Sequence, residues 1–360
     1  MTQNQKETFS IQMDRAMCVR YRHASAGCKR CVEICRAGAI TLRQGQPVID
    51  PVRCNQCGAC AGVCQTGAID AGLDDVRAAV MRSAALEHKV CLACAQSEKR
   101  PGSIRVRCLN ALEPSIFLGA FAAGCEQIEV LTGECGQCPR QSGGRTPGIV
   151  ISEVMSLARL VGLKPRINAT CAPGGIALGR RLFLRRFVKS ASEPAETNET
   201  DREEGFCTDF FCNPLDDRSR HEVPRSRLML LSALRMLKSR NPALESDGGM
   251  ESDLRAPLID ASKCEGCTIC AAACPTGAIR AEQSESGLRL TTLAGSCVGC
   301  RLCTEVCYKD AVSLKRSSLA EALCLDRRVQ YETAGSSEPD ADDVWERKLS
   351  KMVSAPVYRT

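Results

Sequence analysis

Cysteine is the residue type that carries the chemistry of this 360-residue sequence, in which 26 are present. Three runs of four cysteines share one pattern, with two, two and three residues between successive members. These runs are Cys54, Cys57, Cys60 and Cys64; Cys264, Cys267, Cys270 and Cys274; and Cys297, Cys300, Cys303 and Cys307. The pattern is typical of bacterial proteins that bind two 4Fe–4S clusters in one small fold. It therefore predicts electron transfer.

A fourth run lies nearer the N-terminus. Cys28, Cys31 and Cys35 occupy its last three positions, and nine residues separate them from Cys18, the displaced first member. In this pattern the fourth cysteine of each run ligates the cluster of the other run in its pair. The predicted ligand sets are site one, Cys18, Cys28, Cys31 and Cys64; site two, Cys35, Cys54, Cys57 and Cys60; site three, Cys264, Cys267, Cys270 and Cys307; and site four, Cys274, Cys297, Cys300 and Cys303. The sequence thus predicts two ferredoxin-like modules with up to four 4Fe–4S clusters.

A short segment recurs at a fixed distance from the fourth cysteine of each run. Gly-Ala-Ile occupies 38–40, 67–69 and 277–279, and the copy at 310–312 has drifted to Asp-Ala-Val. Small residues let the backbone approach a cluster, and amide hydrogen bonds to sulfur help to set its reduction potential. We expect these segments to line the predicted sites.

Structural zinc is the main alternative, because zinc sites also use pairs of cysteines separated by two residues. Four-cysteine zinc sites usually have a longer loop between their two pairs, and they need no third cysteine two residues further on. The three regular runs therefore favour iron and sulfide over zinc. For the run that includes Cys18, a lost cluster or a three-iron form stays open.

The composition agrees with a cluster-binding protein in a reducing compartment. Aromatic residues make up only 4% of the chain, as expected where clusters fill the interiors of small modules. Residues 1–13 are polar and lack the apolar stretch of a signal peptide, and no run of 18 apolar residues predicts a transmembrane helix. We therefore expect a cytoplasmic protein with reduced thiols. The three histidines are scattered, which leaves little for a histidine-based metal site.

The segment between the modules has the pattern of a small α/β domain. Strands are predicted at 88–94, 103–108, 127–132 and 166–169, and helices at 113–124 and 148–160. This order of elements favours parallel pairing of the strands. Several cysteines lie where predicted strands end, which is where sheets of this kind bind ligands.

Over about residues 88–170, this segment resembles the delta subunit of methyl-viologen-reducing hydrogenase, which also occurs fused to heterodisulfide reductase subunits. The resemblance rests on Cys91-Leu-Ala-Cys94, Arg107-Cys108-Leu-Asn, Pro114 to Gly124 and Gly133 to Cys138. It implies a 2Fe–2S cluster with ligands from among Cys91, Cys94, Cys108, Cys135 and Cys138. The last two cysteines lie closer together than the family's usual pair. Cys125 stands where the family has a small residue, so we expect it in the core.

Two other interpretations of the middle cysteines stay open. One is an ordinary α/β fold with reduced, metal-free thiols. The other is a thiol–disulfide function, because Cys91 and Cys94, like Cys135 and Cys138, have the spacing of redox motifs. We expect the remaining cysteines to be structural or incidental, namely Cys171, Cys207, Cys212 and Cys324.

Beyond residue 172 the sequence changes character. The arginine-rich stretch 179–188 predicts either a basic amphipathic helix without a binding role or a docking surface for an acidic partner or an anionic lipid. Its twin-arginine pattern is internal and does not predict export. A helix is expected over 223–239, with Leu228, Leu231, Leu234 and Leu237 along one side. We expect flexible segments at 190–205, at 241–255 and in the tail.

No catalytic motif accompanies the cysteines. The sequence contains no glycine-rich nucleotide fingerprint, phosphate-binding loop or nucleic-acid motif, and its net charge of +6 argues only for docking. We therefore predict a non-catalytic electron-transfer subunit. The resemblance suggests a formate dehydrogenase, hydrogenase or heterodisulfide-reductase-like partner; formate dehydrogenase is favoured because polyferredoxins of this layout resemble accessory proteins of that system. The alternative is a maturation factor that supplies electrons or clusters to a molybdenum or iron–sulfur enzyme.

The predicted fold is therefore multidomain and combines α+β with α/β units. Ferredoxin-like modules with two clusters each, at 1–84 and 254–316, flank the α/β domain at 85–172. A basic helix, an acidic linker and a second helix fill 173–253. A largely flexible tail is expected at 317–360.

Overall fold

The chain was analysed as a computed structural model that describes residues 11–138, 140, 146–172, 222–241, 254–284 and 287–333. The predictions for the basic stretch at 179–188, for the linker at 190–205, and for Cys207 and Cys212 lie outside these ranges. None of the described helices is both long enough and apolar enough to cross a membrane.

The N-terminal module consists of two short antiparallel strand pairs and three one-turn helices. Strand β1 (Gln12–Met13) pairs with β4 (Ile69–Asp70), and β2 (Ile40–Arg43) forms a hairpin with β3 (Gln46–Ile49). The helices are α1 (Val19–Arg22), α2 (Arg30–Ile34) and α3 (Ala59–Val63). The strand pairs close the module around the cysteine-bearing helices.

The middle domain is a parallel sheet with the strand order β6-β5-β7-β8. Its strands are β5 (Lys89–Cys94), β6 (Ile104–Val106), β7 (Gln127–Thr132) and β8 (Arg166–Cys171). The accompanying helices are α4 (Asp74–Glu87), α5 (Pro114–Ala122), α6 (Pro147–Arg159) and α7 (Arg225–Arg240). The strands, together with α5 and α6, lie where the sequence pattern predicts them.

Helix α5 is the centre of this domain, because eight of its nine residues are buried. It packs against α4, α6 and α7. Helix α7 contributes three of the four predicted leucines as buried residues, Leu231, Leu234 and Leu237. The predicted boundary between residues 84 and 85 is therefore wrong, because it cuts α4, whose Val80 and Ala84 are buried in the same core. Helix α7, which the sequence predicts as a helical segment of a separate region at 173–253, packs on α5 of the middle domain.

The C-terminal module repeats the plan of the first. Its strands are β9 (Arg255–Ile259), β10 (Ile279–Ser284), β11 (Gly287–Thr292), β12 (Val312–Arg316) and β13 (Arg328–Glu332). Its helices are α8 (Ile269–Ala273), α9 (Leu302–Val306) and α10 (Leu319–Leu323). Strand β9 pairs antiparallel with β12, as β1 pairs with β4, and β10 and β11 form the hairpin.

The module does not end at residue 316, so the predicted flexible tail is wrong for residues 317–333. The Ser318 hydroxyl accepts a hydrogen bond from the Glu321 amide at 3.1 Å and caps α10. Strand β13 then pairs antiparallel with β11 and widens the hairpin to three strands. The alternation of Val329 and Tyr331 along β13 is the local signal for this strand.

Candidate iron–sulfur sites

All four cysteine runs fold in the same way. A one-turn helix (α2, α3, α8 or α9) begins one residue before the third cysteine and ends one residue before the fourth. In three runs the residue before the helix is left-handed, with φ of 77° at Gly58, 59° at Thr268 and 67° at Arg301. Such residues turn successive amides to one side and form an anion-binding concavity. The exception is Lys29, with φ of −129°, in the run whose first cysteine is displaced.

A second left-handed residue recurs three positions after the fourth cysteine of every run, at Gly38, Gly67, Gly277 and Asp310. Asp310 therefore keeps the backbone conformation that glycine adopts in the other copies, and aspartate is among the residues that tolerate it best. In the drifted copy the Ala311 amide donates to the Cys307 sulfur at 3.3 Å. The repeated segment thus directs an amide at a predicted ligand, as expected.

The cysteines of site one line a single cavity of about 300 Å³, to which Cys64 comes from the other run. Burial raises the pKa of Cys31 to about 12, and the charges of the other three thiolates of the site add to this shift. The four cysteines of site three also line one small cavity. There too, burial and the other three thiolates of the site raise the pKa of Cys270 to about 12.

Sites two and four show the same crossed arrangement. Cys35 lies with the other cysteines of site two around one small cavity, although it belongs to the preceding run. In site four, burial raises the pKa of Cys303, and the other three thiolates of the site add to the shift. Cys274, from the preceding run, packs with Cys297 against Ala278.

These environments fit a bound iron–sulfur cluster. At each site four half-buried or buried thiols lie together, and burial raises the pKa of at least two of them. A metal centre supplies the positive charge that keeps such thiols ionised. Two arginine nitrogens beside the sites, Arg20 Nη2 and Arg327 Nη1, are buried without a hydrogen-bond partner within the described ranges. Buried donors of this kind suit an anionic cluster. Among the described residues, no three histidine, cysteine, aspartate or glutamate side chains converge on the position of one metal ion. A 4Fe–4S cubane does not require such a convergence, because each of its four thiolates binds a different iron.

In the middle domain four of the five predicted cysteines come together at the C-terminal edge of the sheet. Burial raises the pKa of Cys108 to about 11, and the charges of Cys138 and Cys94 contribute. Burial also raises the pKa of Cys135, again with contributions from Cys94 and Cys138. We call Cys94, Cys108, Cys135 and Cys138 the middle site. Gly133 is required beside it, because an added Cβ would lie 2.6 Å from the Gln96 carbonyl oxygen.

Cys91 is the predicted residue that the structure does not bring to the middle site. Residues three apart on a strand point to opposite faces of the sheet, and Cys91 and Cys94 lie on the same strand, β5. The groups that act on the pKa of Cys91, after burial, are Glu129 and Arg100, not other cysteines. The same geometry counts against a thiol–disulfide pair of Cys91 and Cys94.

Cys171 lies beside the middle site, although the sequence predicts only a structural or incidental role for it. It is exposed at the end of β8, where the parallel register pairs it with Thr132. Its thiol donates to the Gly133 carbonyl at 3.6 Å, and its charge adds to the raised pKa of Cys135. The signal that would have found it is the shared edge of parallel strands. Cys125, by contrast, is buried and donates to the Gln127 carbonyl at 3.1 Å, as expected of a core residue.

Neighbouring sites within a module lie close enough for their charges to act on one another. Cys31 of site one contributes to the raised pKa of Cys60 in site two, which burial dominates. Cys270 of site three contributes in the same way to the pKa of Cys303 in site four. The sites are therefore adjacent within each module.

The middle site adjoins site two. Cys57 of site two contributes to the raised pKa of Cys108. The backbones approach closely here, because a Cβ added to Gly58 would lie 2.7 Å from the Cβ of Ala111. Only a left-handed glycine permits this approach, with φ of 77°.

The two ferredoxin-like modules meet through sites one and four. Cys300 of site four lines the cavity that the cysteines of site one enclose. An apolar cluster spans the contact, with Cys28 and Cys300 packed against Val19, Ala26, Ala273, Leu302 and Val306. The Arg22 guanidinium donates to the Ala273 carbonyl at 3.0 Å, and the Gly27 amide donates to Glu305 Oε2 at 3.0 Å. The predicted sites thus lie in one file, from the middle site through two, one and four to three.

Comparison with known proteins agrees with the two ferredoxin-like modules. The 4Fe–4S dicluster domain family matches residues 26–68 and 263–311, which contain every predicted 4Fe–4S ligand except Cys18. A 39-residue stretch is 51% identical to an uncharacterized ferredoxin of Methanocaldococcus jannaschii; it covers 11% of this chain and 26% of that protein. The chain therefore spans about a quarter of that ferredoxin's length. No solved structure matched the chain.

The chain thus carries two ferredoxin-type 4Fe–4S modules, and modules of this type indicate iron–sulfur electron transfer. The family match falls on either side of the middle domain and does not include it.

Proposed function

We propose that the chain relays electrons between a partner oxidoreductase and a second redox site through five cofactors, four 4Fe–4S clusters and one 2Fe–2S cluster. The observation that supports this most is the single file of cysteine sites, each of which adjoins the next. Bound iron–sulfur clusters take up and release electrons without rearrangement of bonds in the protein. The residues of this chain hold the sites next to one another and keep most of them away from water.

The 2Fe–2S cluster is assigned to the middle site. The resemblance to the hydrogenase delta subunit and the convergence of Cys94, Cys108, Cys135 and Cys138 support this assignment. Cys91 is left out because it lies on the other face of the sheet.

The two ends of the file are the proposed points of exchange with partners. Cys135 and Cys171 are exposed at the middle-domain end, and Cys264 and Cys267 are partly exposed at the site-three end. The proposed partner is a formate dehydrogenase, a hydrogenase or a heterodisulfide-reductase-like enzyme of the cytoplasm, with formate dehydrogenase favoured on layout.

A maturation factor is the second candidate. The exposure of Cys135 and Cys171 beside the middle site favours it, because a cluster that is handed over must be reached by the acceptor's thiols. In this case the middle-domain cluster is delivered to an acceptor protein and does not stay bound as part of the electron-transfer chain.

Cluster retention during turnover distinguishes the two functions. We expect anaerobically purified protein to pass through repeated cycles of dithionite reduction and oxidation with its iron content unchanged, because the cysteines of the 4Fe–4S sites are half-buried or buried. Iron is counted before and after the cycles, and again after incubation with an iron-free ferredoxin as acceptor. Transfer of about two irons per chain to that acceptor would contradict the relay and support the maturation factor. Purification of the native complex under mild conditions identifies the partner in either case.

A further inference from the structure

Arg227, which lies beside site four, is buried, and no described carboxylate forms an ion pair with it. Arg227 extends from α7 into the C-terminal module and is only 9% exposed. Its Nε donates to the Gly295 carbonyl at 2.9 Å, and its Nη2 lies 3.4 Å from the Ala294 carbonyl. These carbonyls lie two and three residues before Cys297, a predicted ligand of site four.

The cost of burying this guanidinium is not offset by a carboxylate. Among the described residues Arg227 forms no ion pair, and burial lowers its pKa to about 10. The charge of the Cys297 thiolate acts against this shift. An unpaired charge in the interior costs several kcal/mol unless an opposite charge lies nearby. The negative charge that the described structure shows acting on Arg227 is therefore that of site four.

A second arginine lies near site four. Arg327 donates to the Gly277 carbonyl at 2.7 Å, in the segment that follows Cys274. Its Nη1 is one of the buried donors without a partner within the described ranges. Burial and the charge of Arg280 lower the pKa of Arg327 to about 10, while the charges of Glu282 and the Cys274 thiolate favour its protonated form. Each of the two runs that supply ligands to site four therefore has one of these arginines near it.

We propose that Arg227, together with Arg327, is a built-in counter-charge that raises the reduction potential of the cluster in site four. A cluster held by four thiolates carries net negative charge, and each electron that enters adds to it. A fixed positive charge therefore stabilises the reduced form more than the oxidised form. The proposal rests on the proposed function, because it requires a cluster in site four. In the relay, site four would hold an electron that arrives from either module.

The test compares three variants of the full chain: Arg227→Met, which removes the charge; Arg227→Lys, which keeps it; and Arg225→Met. Arg225 is the matched control, because it lies on the same helix but is 66% exposed and pairs with Asp74. Iron content and an EPR-monitored redox titration with dithionite are measured for each. We expect Arg227→Met to retain its iron and to shift one reduction step to a more negative potential. Arg227→Lys and Arg225→Met should titrate like the parent protein.

The shifted step is assigned by its absence from a Cys274→Ala protein. If Arg227→Met loses iron, Arg327→Met is titrated in its place, and the same step should shift in the same direction. Full iron content with unchanged reduction potentials in either variant would contradict the proposal that these arginines act as a counter-charge. Absence of iron from the parent protein would instead overturn the proposed function, so the two failures are distinguishable.

Discussion

Replacing Cys274 with alanine removes the cluster of site four and leaves site three intact, although Cys274 belongs to the same run as three ligands of site three. The reason is the crossed geometry. The Cys274 thiolate acts on Cys303 and packs with Cys297, both of the following run. The expected loss is about four of the sixteen irons that four cubanes contain. Iron and acid-labile sulfide are measured on anaerobically purified protein.

Double variants make this prediction independent of spectral assignment. Cys274→Ala with Cys297→Ala should lose no more iron than Cys274→Ala alone, because both residues serve one site. Cys274→Ala with Cys264→Ala should lose about eight irons, because the residues serve different sites. The opposite result would be a further loss of iron when Cys297→Ala is added to Cys274→Ala, and no further loss when Cys264→Ala is added. That result would show that each run holds its own cluster.

The second large effect is expected in the middle domain of the full chain. Cys108→Ser should remove about two irons and the 2Fe–2S signature from the Mössbauer spectrum, because Cys108 faces Cys94 and Cys138. Cys91→Ser should retain both, because Cys91 lies on the other face of the same sheet. Cys91→Ser is thus the matched control, and Cys125→Ser is a second one from the core.

Two results would count against this assignment. Equal iron loss in Cys91→Ser and Cys108→Ser would mean that Cys91 is a ligand after all. A parent protein without any 2Fe–2S signature, but with a reversible two-electron couple by thiol trapping, would favour the thiol–disulfide interpretation.

The cysteine spacing predicted more of the sites than of the fold around them. Spacing within a run fixes the one-turn helix between the third and fourth cysteines, since these contacts are local. The drift to Asp310 was visible in the sequence, but its left-handed φ of 50° was not, because several residue types adopt that conformation. The displacement of Cys18 was likewise visible, while the accompanying change at Lys29 was not.

In the middle domain, the two differences from the predicted site, at Cys91 and Cys171, each had a signal in the sequence. Cys91 and Cys94 are three residues apart on one strand, which alone predicts opposite faces. Cys171 ends a strand parallel to the one that ends at Thr132, so both ends meet at one edge. The contact between the modules and the burial of Arg227 had no such local signal. Both depend on packing between segments that are far apart in the sequence.

Metal analysis of the intact chain tests the central claim most directly. Anaerobically purified protein should contain about sixteen irons and as many acid-labile sulfides, rising to about eighteen of each with the 2Fe–2S cluster. Mössbauer spectra of the same sample should be dominated by 4Fe–4S components. Stoichiometric zinc with little acid-labile sulfide would contradict the account, because zinc thiolate sites contain no sulfide and pass no electrons.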